Sequence, residues 1–158
     1  FDYIQGRIFS FFNRETGTHN FQSDKAIESI TSGGFFGKGI GEGVLKNRVP
    51  EAHTDYIISV ISEEFGVVAI MLILLLFLIL IYMVFKKISF ETNDKAKLIL
   101  IGSISLILMQ ATIHIGVNIR LFPTTGMTLP FLSYGGSSII STSILAGIIL
   151  NLTKRKIT

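Results

Sequence analysis

Polar and apolar positions divide this chain unevenly. The first 54 residues mix charges, amides and glycines, with no apolar run long enough to cross a bilayer. Beyond them the pattern inverts. Phe65 to Phe85 holds no Asp, Glu, Lys or Arg; neither does Leu98 to Ile119, nor Leu121 to Thr153. A bilayer core of about 30 Å is crossed by about 20 apolar residues in helix. The pattern therefore predicts three transmembrane helices, over 55–85 with a polar start, over 98–117 and over 136–152. The stretches 1–54, 86–97, 118–135 and 153–158 are expected to be loops and a tail. The fold class expected is an all-α integral membrane protein.

Composition agrees. The chain has 158 residues, 49% hydrophobic and 16% charged, with a mean hydropathy of +0.59. Soluble domains run near a quarter charged, so a soluble enzyme, a disordered tail and a β-barrel are all poor fits. Cysteine is absent, which removes disulfides, thiolate metal sites and cysteine nucleophiles. His19, His53 and His114 lie far apart and form no HExxH pattern. The first residue is Phe1, and no basic stretch followed by an apolar run opens the chain, so no signal peptide is read there and a piece of a longer membrane protein is expected.

Charge sets an expected orientation. The net charge is +3, and nucleic acid would be a natural partner for a soluble chain of this pI. Here the cations flank apolar runs instead, so no nucleic-acid partner is expected. Lys86, Lys87, Lys95 and Lys97 lie between the first two spans, and Lys154, Arg155 and Lys156 follow the third. The stretch between the second and third spans holds only Arg120. Short basic loops stay cytoplasmic, and three spans put both basic stretches on one side. Residues 1–54 and 118–135 are then extracytoplasmic.

Polar residues within the spans mark expected contacts. Gln110, Thr112 and His114 should face other helices rather than lipid. Ser137 with Ser141, and Ser143 with Gly147, form small-residue pairs at the four-residue spacing suited to close helix packing.

Three segments could carry chemistry. In Pro50-Glu51-Ala52-His53-Thr54-Asp55-Tyr56, proline suits a helix start and acids suit its first turn. Asp55, Ser59, Ser62 and Glu63 then share one face of a helix. As one continuous helix, the 31 residues from Asp55 to Lys86 reach about 46 Å. That places Asp55 near the headgroups, within reach of a lipid-linked substrate; an acid that merely favours a helix start explains it equally. The glycine-dense stretch 32–43 is neither a P-loop nor a GxGxxG turn. It reads as a turn-rich loop needing positive φ, or as one whose amides and Lys38 meet a pyrophosphate. Asn118 to Ser138 is broken by Pro123 and Pro130 and reads as a re-entrant loop, packed for its own sake or lining a cavity. Its Ser133, Tyr134, Gly135, Gly136, Ser137 and Ser138 are candidate lining residues.

The stretches SGGFFGKGIGEG at 32–43, PEAHTDYIISVISEEFG at 50–66 and GVNIRLFPTTGMTLPFLSYGGSS at 116–138 together resemble the SEDS (shape, elongation, division and sporulation) family, and its division branch more than its elongation branch. Tyr56 stands where most relatives carry phenylalanine. The resemblance implies a bundle of about ten spanning helices, the elements that lipid permits, of which this chain supplies the last three and the preceding loop. It implies polymerisation of lipid II into glycan strands at the division septum of the bacterial cytoplasmic membrane. Implied partners are a cognate class B penicillin-binding protein, other division proteins and membrane lipids.

The family's essential aspartate maps onto Asp55, which one can read as the general base for an attacking sugar hydroxyl. Lys38 is a candidate to meet the departing pyrophosphate; His53, Thr54 and Asn118 are candidates to contact or position substrate. A divalent cation, Mg or Mn, is the one cofactor the chemistry leaves room for. The competing readings are a lipid II flippase and a non-catalytic division scaffold. The piece by itself is expected to be inactive.

Overall fold

The computed structural model describes residues 18–49 and 51–154. Pro50, read above as a helix start, lies outside them, as do Arg155 and Lys156 of the tail. Five helices follow in order: α1 (Thr18–Gly33), α2 (Leu45–Arg48), α3 (Ile57–Phe90), α4 (Asp94–Asn118) and α5 (Gly136–Thr153). No strand occurs among the described residues. The last three helices are long and apolar enough to cross a membrane, as expected.

Their bounds differ from the expected ones. α3 continues to Phe90 and α4 begins at Asp94, so 86–97 is mostly helix and the turn is short. Asn93 caps α4 there, its side-chain oxygen accepting from Lys95 N at 3.0 Å.

The stretch 1–54 is not simply a loop. α1 occupies 16 residues of it. Its buried positions are Ser23, Ala26, Ser29 and Gly33, at helical spacing on one face. Small side chains let α1 lie close against α3; a Cβ on Gly33 would sit 2.0 Å from the Ser62 carbonyl oxygen. Ala26 joins Leu45, Val49, Ala52, Tyr56 and Val60 in one buried cluster.

α3 is not continuous either. Gly66 has φ 77° and ψ −176°, which splits the helix into 57–65 and 67–90. In an unbroken helix Glu63 O and Glu64 O would accept from Val67 N and Val68 N. Here the loop after α1 takes both sides of the break. Lys38 N donates to Glu63 O at 2.9 Å and Gly39 N to Glu64 O at 3.1 Å. Val67 N donates to Gly34 O at 3.0 Å and Val68 N to Phe35 O at 3.4 Å. The backbones approach so closely that a Cβ on Gly37 would stand 2.2 Å from Glu64 O, and one on Gly66 2.2 Å from Phe35 O. The glycines of the 32–43 stretch thus serve a clasp across a helix break. The segment below it, 24 residues or about 36 Å long, suffices to cross the bilayer core. The 46 Å rod inferred from a continuous helix does not exist.

The small-residue pairs of α5 find no packing partner among the described residues. Ser137, Ser141, Ser143 and Gly147 are all exposed among the described residues, and the buried α5 positions are Thr142 and Ile149. Thr112 is also exposed. Gln110, His114 and Asn118, spaced four apart, form the inward polar edge of α4.

Candidate active site around Asp55

Residues 51–56 form turns rather than the first turn of a helix, and α3 starts at Ile57. Glu51 O gathers the turn. It accepts from Thr54 N at 3.2 Å, Asp55 N at 3.0 Å and Thr54 Oγ1 at 3.1 Å. Asp55 is 8% exposed at the end of this turn. The stripe foreseen below it is real: Ser59, Ser62 and Glu63 are all buried.

Three successive carbonyls of the turn are held from elsewhere in the chain. Tyr134 N donates to His53 O at 3.1 Å. Ser133 Oγ donates to Thr54 O at 2.8 Å and accepts from Leu129 N at 2.8 Å. Asn118 Nδ2 donates to Asp55 O at 2.9 Å and to His114 O at 2.9 Å. The Asn118 Oδ1 accepts from Ser59 N at 3.2 Å and Ser59 Oγ at 2.8 Å. The Ser59 amide is one of the orphan donors of the first turn of α3, so Asn118 caps that helix from the far end of α4.

The re-entrant loop is fixed by the same edge of α4. Gln110 Nε2 donates to Thr128 O at 2.9 Å and to Ser138 Oγ at 3.0 Å, and His114 Nδ1 pairs with Met127 O at 2.8 Å. The Nε2 of His114 has no partner among the described residues. Leu129 anchors the loop in an apolar cluster with Ile58 and Ala111. The loop crosses Asp55 at Gly126, where an added Cβ would stand 3.9 Å from Asp55 Oδ2.

The candidate residues therefore sort into different places. His53, Thr54, Asp55, Asn118, Ser133 and Tyr134 come together. Asn118 and Ser133 are buried with both hydrogen-bonding ends engaged in holding the turn. His53, Tyr134, Gly136 and Ser137 are exposed, Gly135 is half-buried, and Ser138 is tied to Thr128 and Gln110. Lys38 lies apart. Its Nζ sits 2.9 Å from Glu63 Oε1, and Glu63 Oε2 accepts from Leu45 N at 3.0 Å. Glu63 is six residues beyond Ile57, roughly 9 Å along α3 from its start.

Sequence reading missed Gln110 and Gly126 as parts of the site. The spacing of Gln110, His114 and Asn118 was the available signal. Among the described residues no three His, Asp or Glu side chains converge.

A model of the cell cycle proteins FtsW, RodA and SpoVE matches residues 1–157. The chain belongs to this family. It is 38% identical over 160 residues to a probable peptidoglycan glycosyltransferase FtsW of Enterococcus hirae, covering 99% of this chain and 40% of that protein. A protein of the same description from Caulobacter vibrioides is 39% identical over 158 residues, with 99% and 40% covered. One from Francisella salina is 41% identical over 156 residues, with 95% and 39% covered.

The chain thus spans about two fifths of the length of these curated FtsW relatives. A solved structure, described as the structural coordination of polymerization and crosslinking by a peptidoglycan synthase complex, superposes with a TM-score of 0.72. It is 28% identical and covers 96% of this chain and 41% of its own. With three apolar helices, this member of the family is a multi-pass membrane protein.

Proposed function

We propose that this chain carries the catalytic aspartate of a peptidoglycan glycosyltransferase of the FtsW type, which polymerises lipid II into glycan strands. The observation that supports it best is the Asp55 turn. A nearly buried carboxylate stands on a segment whose three successive carbonyls are each held by a different residue. Positioning of that kind is what a general base requires.

In the proposed step, Asp55 takes the proton from the acceptor sugar hydroxyl as that oxygen attacks the anomeric carbon of the donor. The bond from this carbon to the diphosphate oxygen breaks, and polyprenyl diphosphate leaves as an anion. Such a leaving group departs without protonation, so one carboxylate suffices where glycoside hydrolysis uses a pair. Exposed His53 and Tyr134 border the turn and are the side chains offered to the sugars. Lys38, neutralised by Glu63, is assigned to the clasp rather than to the diphosphate. No step is routed through a metal ion.

The basic ends of α3, α4 and α5 support a cytoplasmic position for those ends, by the positive-inside rule. The Asp55 turn then faces outward, where lipid-linked substrate is polymerised. Action at the septum with a class B penicillin-binding protein belongs to the same proposal. The test is lipid II polymerisation by the full-length protein with that partner. Asp55→Asn keeps size and polarity but removes the base, and should lower the rate by about 10²-fold or more while the complex still assembles. Normal polymer from the variant would sink the assignment. No polymer from the wild type would favour lipid transport or scaffolding.

A further inference from the structure

A second cavity lies at the other end of the spanning helices. It is a cleft of about 710 Å³ between α3 and α5, lined by apolar side chains that include Leu76, Leu80, Met83, Ala146 and Ile149. That volume falls within the roughly 300–1,000 Å³ typical of small-molecule sites. Its mouth is basic. Lys86 and Lys87 belong to the lining, and Lys154 directly follows the lining residue Thr153.

The charges at this end do not cancel. Lys87 pairs with Glu91 at 3.1 Å and Lys97 with Asp94 at 3.5 Å. Lys86, Lys95 and Lys154 have no carboxylate partner among the described residues. The depth of the cleft also carries information. From Leu76 to Lys86 is ten residues, about 15 Å of helix, which is half of the roughly 30 Å hydrocarbon core. The cleft is therefore one leaflet deep, apolar within and cationic at the headgroup level.

We propose that this cleft binds one anionic phospholipid, its acyl chain between α3 and α5 and its phosphate between Lys86 and Lys154. The proposal rests on the membrane-spanning reading of the helices and is independent of the chemistry at Asp55. Lysines near helix C-termini are also favoured by the helix dipole, so the test turns on headgroup selection and not on lysine placement.

The experiment is native mass spectrometry of the purified protein released from micelles containing equal amounts of phosphatidylglycerol and phosphatidylcholine with identical chains. One phosphatidylglycerol should be retained in preference, by roughly fivefold for each engaged lysine. Lys86→Gln combined with Lys154→Gln should bring the ratio close to one. Lys95→Gln, on α4 and outside the lining, should leave it unchanged. Ala146→Phe, or the milder Ala146→Leu, should reduce retention of both lipids by filling the cleft. Equal retention of the two lipids by the wild type would overturn the proposal. So would a preference that survives the double substitution, or one that Lys95→Gln weakens as much. Absence of any retained lipid would mean that protein covers the cleft, and would overturn it as well.

Discussion

The two halves of α3 on either side of Gly66 obey different rules. In 57–65, Ile58, Ser59, Val60, Ser62 and Glu63 are buried, and Ser59 and Glu63 are matched to named partners, while the Ser62 hydroxyl has none among the described residues. In 67–90 only Val84 is buried, and the exposed surface is Leu, Ile, Met and Phe. The lower half needs only to be apolar and helical, because helix satisfies its own backbone and an apolar surface suits lipid and neighbouring helices alike. The upper half is placed by specific hydrogen bonds to segments distant in sequence. Gly66 is the joint at which one regime gives way to the other.

The sharpest way to break this contrast is at the joint. Gly66→Ala forces a Cβ into the Phe35 carbonyl and a side chain onto a left-handed residue, and should cost about 3 kcal/mol or more. Gly147→Ala meets nothing within 4 Å and should be neutral, or stabilising by up to about 1 kcal/mol through helix propensity. Thermal unfolding in one detergent compares them directly. Equal effects would mean that the clasp does not form.

Asn118→Ala comes next. It strands the Asp55 carbonyl and the Ser59 amide in a buried setting, for about 2 kcal/mol. If the turn positions the base, polymerisation kinetics should show kcat falling with KM nearly unchanged. A rise in KM alone would return Asn118 to a substrate-binding role.

Lys38→Met should be milder. Losing one partner of a fully buried pair costs about 3–5 kcal/mol, but Lys38 is 37% exposed and solvent already screens it. A loss near 1 kcal/mol is expected, with polymerising activity retained at a temperature where the variant is folded. Loss of activity at unchanged stability would instead put Lys38 on the substrate.

The smallest effect belongs to the lower half, at its end. The Lys87 ammonium, aided by backbone amides of Asn93 and Thr92, holds the Glu91 carboxyl below its ordinary value. A depressed folded-state pKa adds stability above the unfolded value, and that increment disappears as pH falls through the folded value. Glu91→Gln should therefore lower the melting temperature slightly at neutral pH and not at all in strong acid. A difference that persists in acid would exclude the ion pair as its cause.

What was legible in the sequence was what local composition decides. Three charge-free runs specify three spanning helices, because the bilayer tests only length and apolarity over consecutive residues. The 50–56 motif singled out Asp55, and Asp55 does sit nearly buried on a constrained turn. α1 escaped because its buried face is made of Ser23, Ala26, Ser29 and Gly33, which leave no hydrophobic period to detect. The break at Gly66 escaped because the bonds that replace its helical ones come from residues about thirty positions upstream.

Asn118 and Ser133 stand out in the sequence by their polarity, and chemical type cannot tell which distant backbone carbonyl such a side chain holds. Only the tertiary structure decided that. It brings Asn118 and Asp55 together across 63 positions and Ser133 and Thr54 across 79. Helix and lipid are satisfied by neighbours in sequence, whereas a buried polar turn is satisfied by whichever distant groups the fold delivers to it.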